Sequence, residues 1–211
     1  MPIPPSFSDL GKAAKDVFDK NFHFGFVKTE VKSTTSSGVD IKTSGTHNTE
    51  TSRVSGNLEA KYKFSDFGMT FTEKWDTNNI ITSEVCIEDK LVQGFKQTFE
   101  GVLEPNTGKK SAKVKNQFKH DPLNVNVDLD FQSSMPVIQA STVFGYSGYL
   151  GGIQVGFDAG KQSIEKLNYA VGYNGADFVM HGAVKNGSDF MASVYQKLSN
   201  ELEVSVNLSW A

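Results

Sequence analysis

A single cysteine, Cys86, in 211 residues excludes an internal disulfide framework. There is no C-x-x-C pair, and His23, His47, His120 and His181 are scattered without an i, i+4 pairing, so no metal site and no cofactor are expected. A positive surplus is missing too: 21 Lys and Arg stand against 24 Asp and Glu, a net charge of −3, which excludes a nucleic-acid partner. Neither a Gly-x-Ser-x-Gly elbow nor a phosphate loop is present, and no enzyme emerges. No apolar run approaches the roughly 20 residues of a spanning helix. Met1-Pro2-Ile3-Pro4-Pro5 has neither the basic nor the apolar region of a secretory signal and is no Arg-rich transit peptide. If this chain enters a membrane, it does so as strands.

What is present changes period once. Ser6 or Ser8 is placed to cap a short amphipathic helix, Ser6 to Lys20, with Leu10, Ala14, Val17 and Phe18 on one face and Lys12, Lys15, Asp16, Asp19 and Lys20 opposite. Residues 21–25 then form a linker with Gly25 as its hinge, so residues 1–25 read as helix and hinge. From residue 26 to 211 the pattern alternates. Val54, Gly56, Leu58, Ala60 and Tyr62 are interleaved with Ser55, Asn57, Glu59 and Lys61; Leu123 to Phe131 and Leu202 to Trp210 repeat the alternation residue by residue. Turn chemistry such as Asn106-Thr107-Gly108, Asn174-Gly175 and Asn186-Gly187 separates about fourteen such strands.

A soluble two-sheet sandwich would alternate as well. Three features favour a membrane barrel: strands of about ten residues, little long-loop material, and aromatic residues at strand ends, among them Tyr62, Trp75, Phe131, Tyr149, Tyr173 and Trp210. The polar face carries Lys28, Lys61, Lys74, Lys96, Lys113, Lys115 and Lys119 together with Glu59, Glu84 and Asp128, and a water-filled lumen satisfies them. The expected fold is therefore all-β, a transmembrane antiparallel barrel with the N-terminal amphipathic helix in its lumen.

Several runs carry a family resemblance. Pro4-Pro5-Ser6-Phe7-Ser8-Asp9-Leu10-Gly11-Lys12, Phe71 to Trp75 followed by Asp-Thr-Asn-Asn, Pro105 to Lys113, Val171-Gly172-Tyr173 and Tyr195-Gln196-Lys197 resemble the mitochondrial porin, or voltage-dependent anion channel, family along the whole chain. The resemblance implies a nineteen-stranded barrel in the mitochondrial outer membrane that passes ATP, ADP, other metabolite anions and small ions. It also implies membrane lipids, hexokinase-like and apoptosis-regulating proteins, and further copies of the chain as partners. The chain departs from that pattern in ending after a fourteenth strand, and in a linker where only Gly25 of a glycine-rich hinge is kept. Closure of strand one on strand fourteen into a narrower barrel is the expectation for such a chain. The alternatives are a non-conducting docking protein at the outer membrane, or a fragment without a function of its own.

Candidate site residues follow from the faces. Lys12, Lys15 and Lys20 on the helix, with Lys96, Lys113, Lys115 and Lys119 on the polar face, are expected to draw nucleotide phosphates into the pore; an ordinary solvated face is the bland alternative. Gly94-Phe95-Lys96 matches the family's nucleotide-associated Gly-Leu-Lys except at its middle position. Val143 and Leu150 are apolar on an otherwise polar face, which a docked helix presenting Leu10 and Val17 explains. The period places Glu73 on the lipid side with Phe71 and Trp75, and the resemblance implies a gating and partner-binding role for it.

Overall fold

A computed structural model describes the chain except residues 1–2, 21–23 and 132–134. Fourteen strands follow the N-terminal segment: β1 Phe26–Thr34, β2 Val39–Asn48, β3 Val54–Phe64, β4 Met69–Asp76, β5 Ile81–Glu88, β6 Phe95–Glu104 and β7 Lys109–His120. They continue with β8 Leu123–Phe131, β9 Val137–Tyr146, β10 Tyr149–Asp158, β11 Ser163–Asn174, β12 Phe178–Lys185, β13 Asp189–Lys197 and β14 Glu203–Trp210. Strand order in the sheet is chain order, as expected where short turns join antiparallel neighbours. In the three-residue connection between Lys185 and Asp189, Asn186 and Gly187 both have positive φ, and Ser188 N donates to the Lys185 carbonyl at 3.2 Å to close the turn. No helix among the described residues is long and apolar enough to cross a membrane.

The chain divides into two compact units: residues 1–22, 117–128 and 135–211, and residues 23–116 with 129–134. In the second unit the alternation sorts cleanly across strands. Tyr62 is opposite Phe71, Phe71 opposite Val85 and Val85 opposite Phe99; the next row on that face is Ala60, Glu73, Ser83 and Gly101, and the one after it Leu58, Trp75, Ile81 and Leu103. Between them, on the other face, run Lys42, Glu59, Lys74 and Thr82, and then Lys61, Thr72, Glu84 and Glu100.

The first unit shows the same division. Ile153, Tyr169, Val184, Phe190 and Trp210 make one apolar row, closed by the stacked rings of Phe190 and Trp210 at 5.5 Å. Its opposite face is lined here mostly with small residues: Gly152, Ala170, Ala183 and Met191 in one row, Leu150, Gly172, His181 and Ser193 in the next.

Among the described residues no second sheet covers the apolar side in either unit. The buried apolar side chains among the described residues are Pro4, Ala14, Cys86, Val143 and Ala170, while Trp75, Phe144, Val171, Val206 and Leu208 are exposed. A water-soluble sheet buries such a face; one whose second layer is lipid leaves it open.

The N-terminal helix is shorter than the sequence suggests. Phe7–Asp9 is a single 3-10 turn, and the α-helix, α1, is confined to Lys12–Asp19. Leu10 is extended and Gly11 left-handed (φ 72°), so the run from Ser6 to Lys20 is broken in the middle. Neither serine caps α1: Ser6 Oγ donates instead to Asp9 Oδ2 at 2.6 Å, and Gly11 occupies the N-cap.

Candidate functional site

The N-terminal segment lies against the small-residue face of the first unit. The 3-10 turn packs on β9 and β10, and α1 on β13 and β14. Close approach depends on what the wall lacks. A Cβ on Gly152 would lie 2.9 Å from the Phe7 ring, so only glycine admits that ring beside Val143, which pairs with Gly152 and is 0% exposed. Leu10 reaches a small cavity of about 170 Å³ with Leu150, Gly172 and His181. Val17 is half-buried and Ala14 fully buried on α1.

Polar contacts hold the same segment. Asn124, 0% exposed, donates from Nδ2 to the Pro4 carbonyl at 2.9 Å and accepts from Asn126 Nδ2 at 3.1 Å; Asn126 in turn accepts from Gln117 Nε2 at 2.8 Å. The Ser6 hydroxyl holds the Asp9 carboxyl below its ordinary range against partial burial, with Lys12 and the charge of Lys119 adding to the effect.

Beside α1 opens a cleft of about 770 Å³, bordered by Lys12, Lys15 and Asp16 from the helix and by Asn168, His181 and Lys185 from the wall. Its lining carries both signs of charge. Lys12 pairs with Asp9 at 3.3 Å, Lys15 with Asp19 at 3.8 Å and Lys20 with Asp16 at 3.8 Å.

In the second unit the polar face is a ladder of alternating charge. Glu30 pairs with Lys32 and Lys42 at 3.0 and 3.1 Å, and Lys74 stands 3.9 Å from both Glu59 and Glu84. Lys115 pairs with Glu100 at 2.7 Å, Lys113 with Asp130 at 3.0 Å and Lys96 with Glu88 at 3.9 Å. Each of these three lysines therefore has an acid beside it, and the field they generate together is weaker than their number suggests.

Glu73 shares the apolar face with Phe71 and Trp75, between Ala60 and Ser83 on the adjacent strands. Ser83 Oγ donates to Glu73 Oε1 at 3.1 Å, giving the carboxyl one local partner. Gly25 is left-handed (φ 74°), and its carbonyl accepts from Thr49 N at 2.8 Å and Thr49 Oγ1 at 3.0 Å. Of the rest of the expected hinge, Phe24 is exposed and residues 21–23 lie outside the described residues.

Four participants carry no mark in the sequence. Asn124 and Asn126 sit in the alternation of β8 like any polar residue. Gly11 lies within a run whose apolar spacing reads as helix, and His181 has no partner in sequence to mark it.

The family model described as eukaryotic porin matches residues 3–211. Among curated proteins, the non-selective voltage-gated ion channel VDAC2 of Mesocricetus auratus and that of Homo sapiens are each 50% identical over 210 residues. The VDAC2 of Meleagris gallopavo is 49% identical over 210 residues. In all three the match covers 100% of this chain and 71% of the relative.

Proposed function

Because this chain belongs to the eukaryotic porin family, whose members are non-enzymatic β-barrel channels, we propose that it is a voltage-gated diffusion pore of the mitochondrial outer membrane. Its permeants on this reading are small ions and metabolite anions, ATP and ADP among them. The observation that carries it is the two-faced antiparallel sheet: an apolar face left exposed and a polar face that carries the charges, as a wall between lipid and water requires.

Ion pairing on the polar face sets how strong any selectivity is. Lysines beside acids leave a modest residual field, so the anion preference is weak and salt-sensitive. That fits relatives that are named non-selective voltage-gated ion channels. The test is the reversal potential of the full chain in a planar bilayer under a potassium chloride gradient. A small shift toward the chloride potential is expected, moving toward cations when Lys113, Lys115 and Lys119 are replaced by Glu. Equal permeability, unmoved by those substitutions, would remove the anion assignment. A folded chain that inserts without conducting would favour a docking role instead.

A further inference from the structure

We propose that Asn124 is a positioning residue: it fixes the front of the N-terminal segment to the β8 wall, so that the part free to move in gating begins at Gly11. The gating half rests on the pore reading above; the anchoring half stands without it.

The front of the segment has little else to offer a wall. Pro4 and Pro5 have no backbone N–H, so the segment cannot add itself to the sheet by strand pairing, and the Pro4 carbonyl is an acceptor that a side chain must meet. Asn124 meets it from a fully buried position. A buried amide left without partners loses more than the bond is worth, so both of its ends matter. Asn126 donates to the Asn124 carbonyl and is itself held by Gln117, which fixes the order of donors and acceptors along the relay and turns Asn124 Nδ2 toward Pro4. Lifting the front of the segment therefore breaks a satisfied buried network.

Behind Gly11 the attachment changes character. Lys15 pairs with Asp19 and Lys20 with Asp16, all within the same stretch of chain, and Ala14 is the buried residue of α1. Moving α1 off β13 and β14 exposes Ala14 and what is covered of the half-buried Val17, and leaves those ion pairs intact. Between the two parts, the extended Leu10 and left-handed Gly11 already interrupt the helical hydrogen bonds, so a rotation there breaks no helix.

The anchor is tested by pulsed electron–electron distances between spin labels at Ser8→Cys and Ser141→Cys, in a Cys86→Ala background, with the full chain in lipid bilayers. One narrow distance is expected in the parent. It is lost in Asn124→Ala, and lost also in Asn124→Asp, which still accepts from Asn126 but has no donor for Pro4; the second variant decides if the first fails to fold. Deleting residues 1–4 produces the same broad distribution, and adding Asn124→Ala to that deletion changes nothing more. A narrow distance surviving both substitutions would overturn the anchor, as would further broadening of the deletion by Asn124→Ala. In voltage-stepped recordings the substitutions flatten the voltage dependence. Broadened distances with an unchanged voltage response would overturn the gating half, whereas a parent that never conducts contradicts the pore reading and leaves the anchor to the distances alone.

Discussion

Gly11 meets two constraints at one position. Its φ of 72° disfavours any side chain, and a Cβ there would lie 2.6 Å from His181 Nδ1. Gly11→Ala therefore strains the backbone by about 1–2 kcal/mol and adds a clash with the imidazole; the expected outcome is a lowered denaturation midpoint and an α1 no longer seated on β13 and β14. Asp9 gives a dependence on pH. Its carboxyl is held below the ordinary value of 3.8 by the Ser6 hydroxyl first and by Lys12 and Lys119 next. Its contribution is thus complete above that value and is lost as pH falls through the lowered one. Accessibility of a thiol probe at Ser8→Cys should rise in that acid window, and Asp9→Asn should abolish the dependence. For Glu73, a hydrophobic carbodiimide is expected to label the carboxyl selectively in the folded chain in bilayers, and Glu73→Gln to remove the label; labelling by a water-soluble carbodiimide alone would place it on the wrong face.

Elements show how far the sequence is legible and where it stops. Strands were readable because register obeys a period of two: Leu58, Ala60 and Tyr62 had to share a face whatever their partners were. The N-terminal helix is readable as amphipathic but not as broken: the apolar spacing runs on through Leu10 and Gly11, and the His181 ring that lies against Gly11 is 170 positions later, brought there only by the fold. The lysines of β6 and β7 were legible as polar-face residues, while their pairing with Glu88, Glu100 and Asp130 depends on cross-strand register that alternation alone does not determine. One consequence is testable. Glu84 and Glu100 are directly opposite across β5 and β6, with Lys74 beside one and Lys115 beside the other. Lys115→Ala should destabilise the sheet by roughly 0.2–1 kcal/mol, more at low ionic strength than at high. Denaturation at two salt concentrations reads the difference.

At the scale of the whole molecule, membership of the porin family and the sorting of side chains require the same thing: water on the charged face and hydrocarbon on the other. An exposed row such as Val204, Val206 and Leu208 is an aggregation hazard in water and an ordinary surface in lipid. The measurement that tests this most directly is single-channel recording of the refolded 211-residue chain in a planar bilayer. The account predicts discrete conductance steps that fall to lower levels as the voltage is raised in either direction. Folded, β-rich protein that inserts into the bilayer yet yields no steps at any voltage would contradict it.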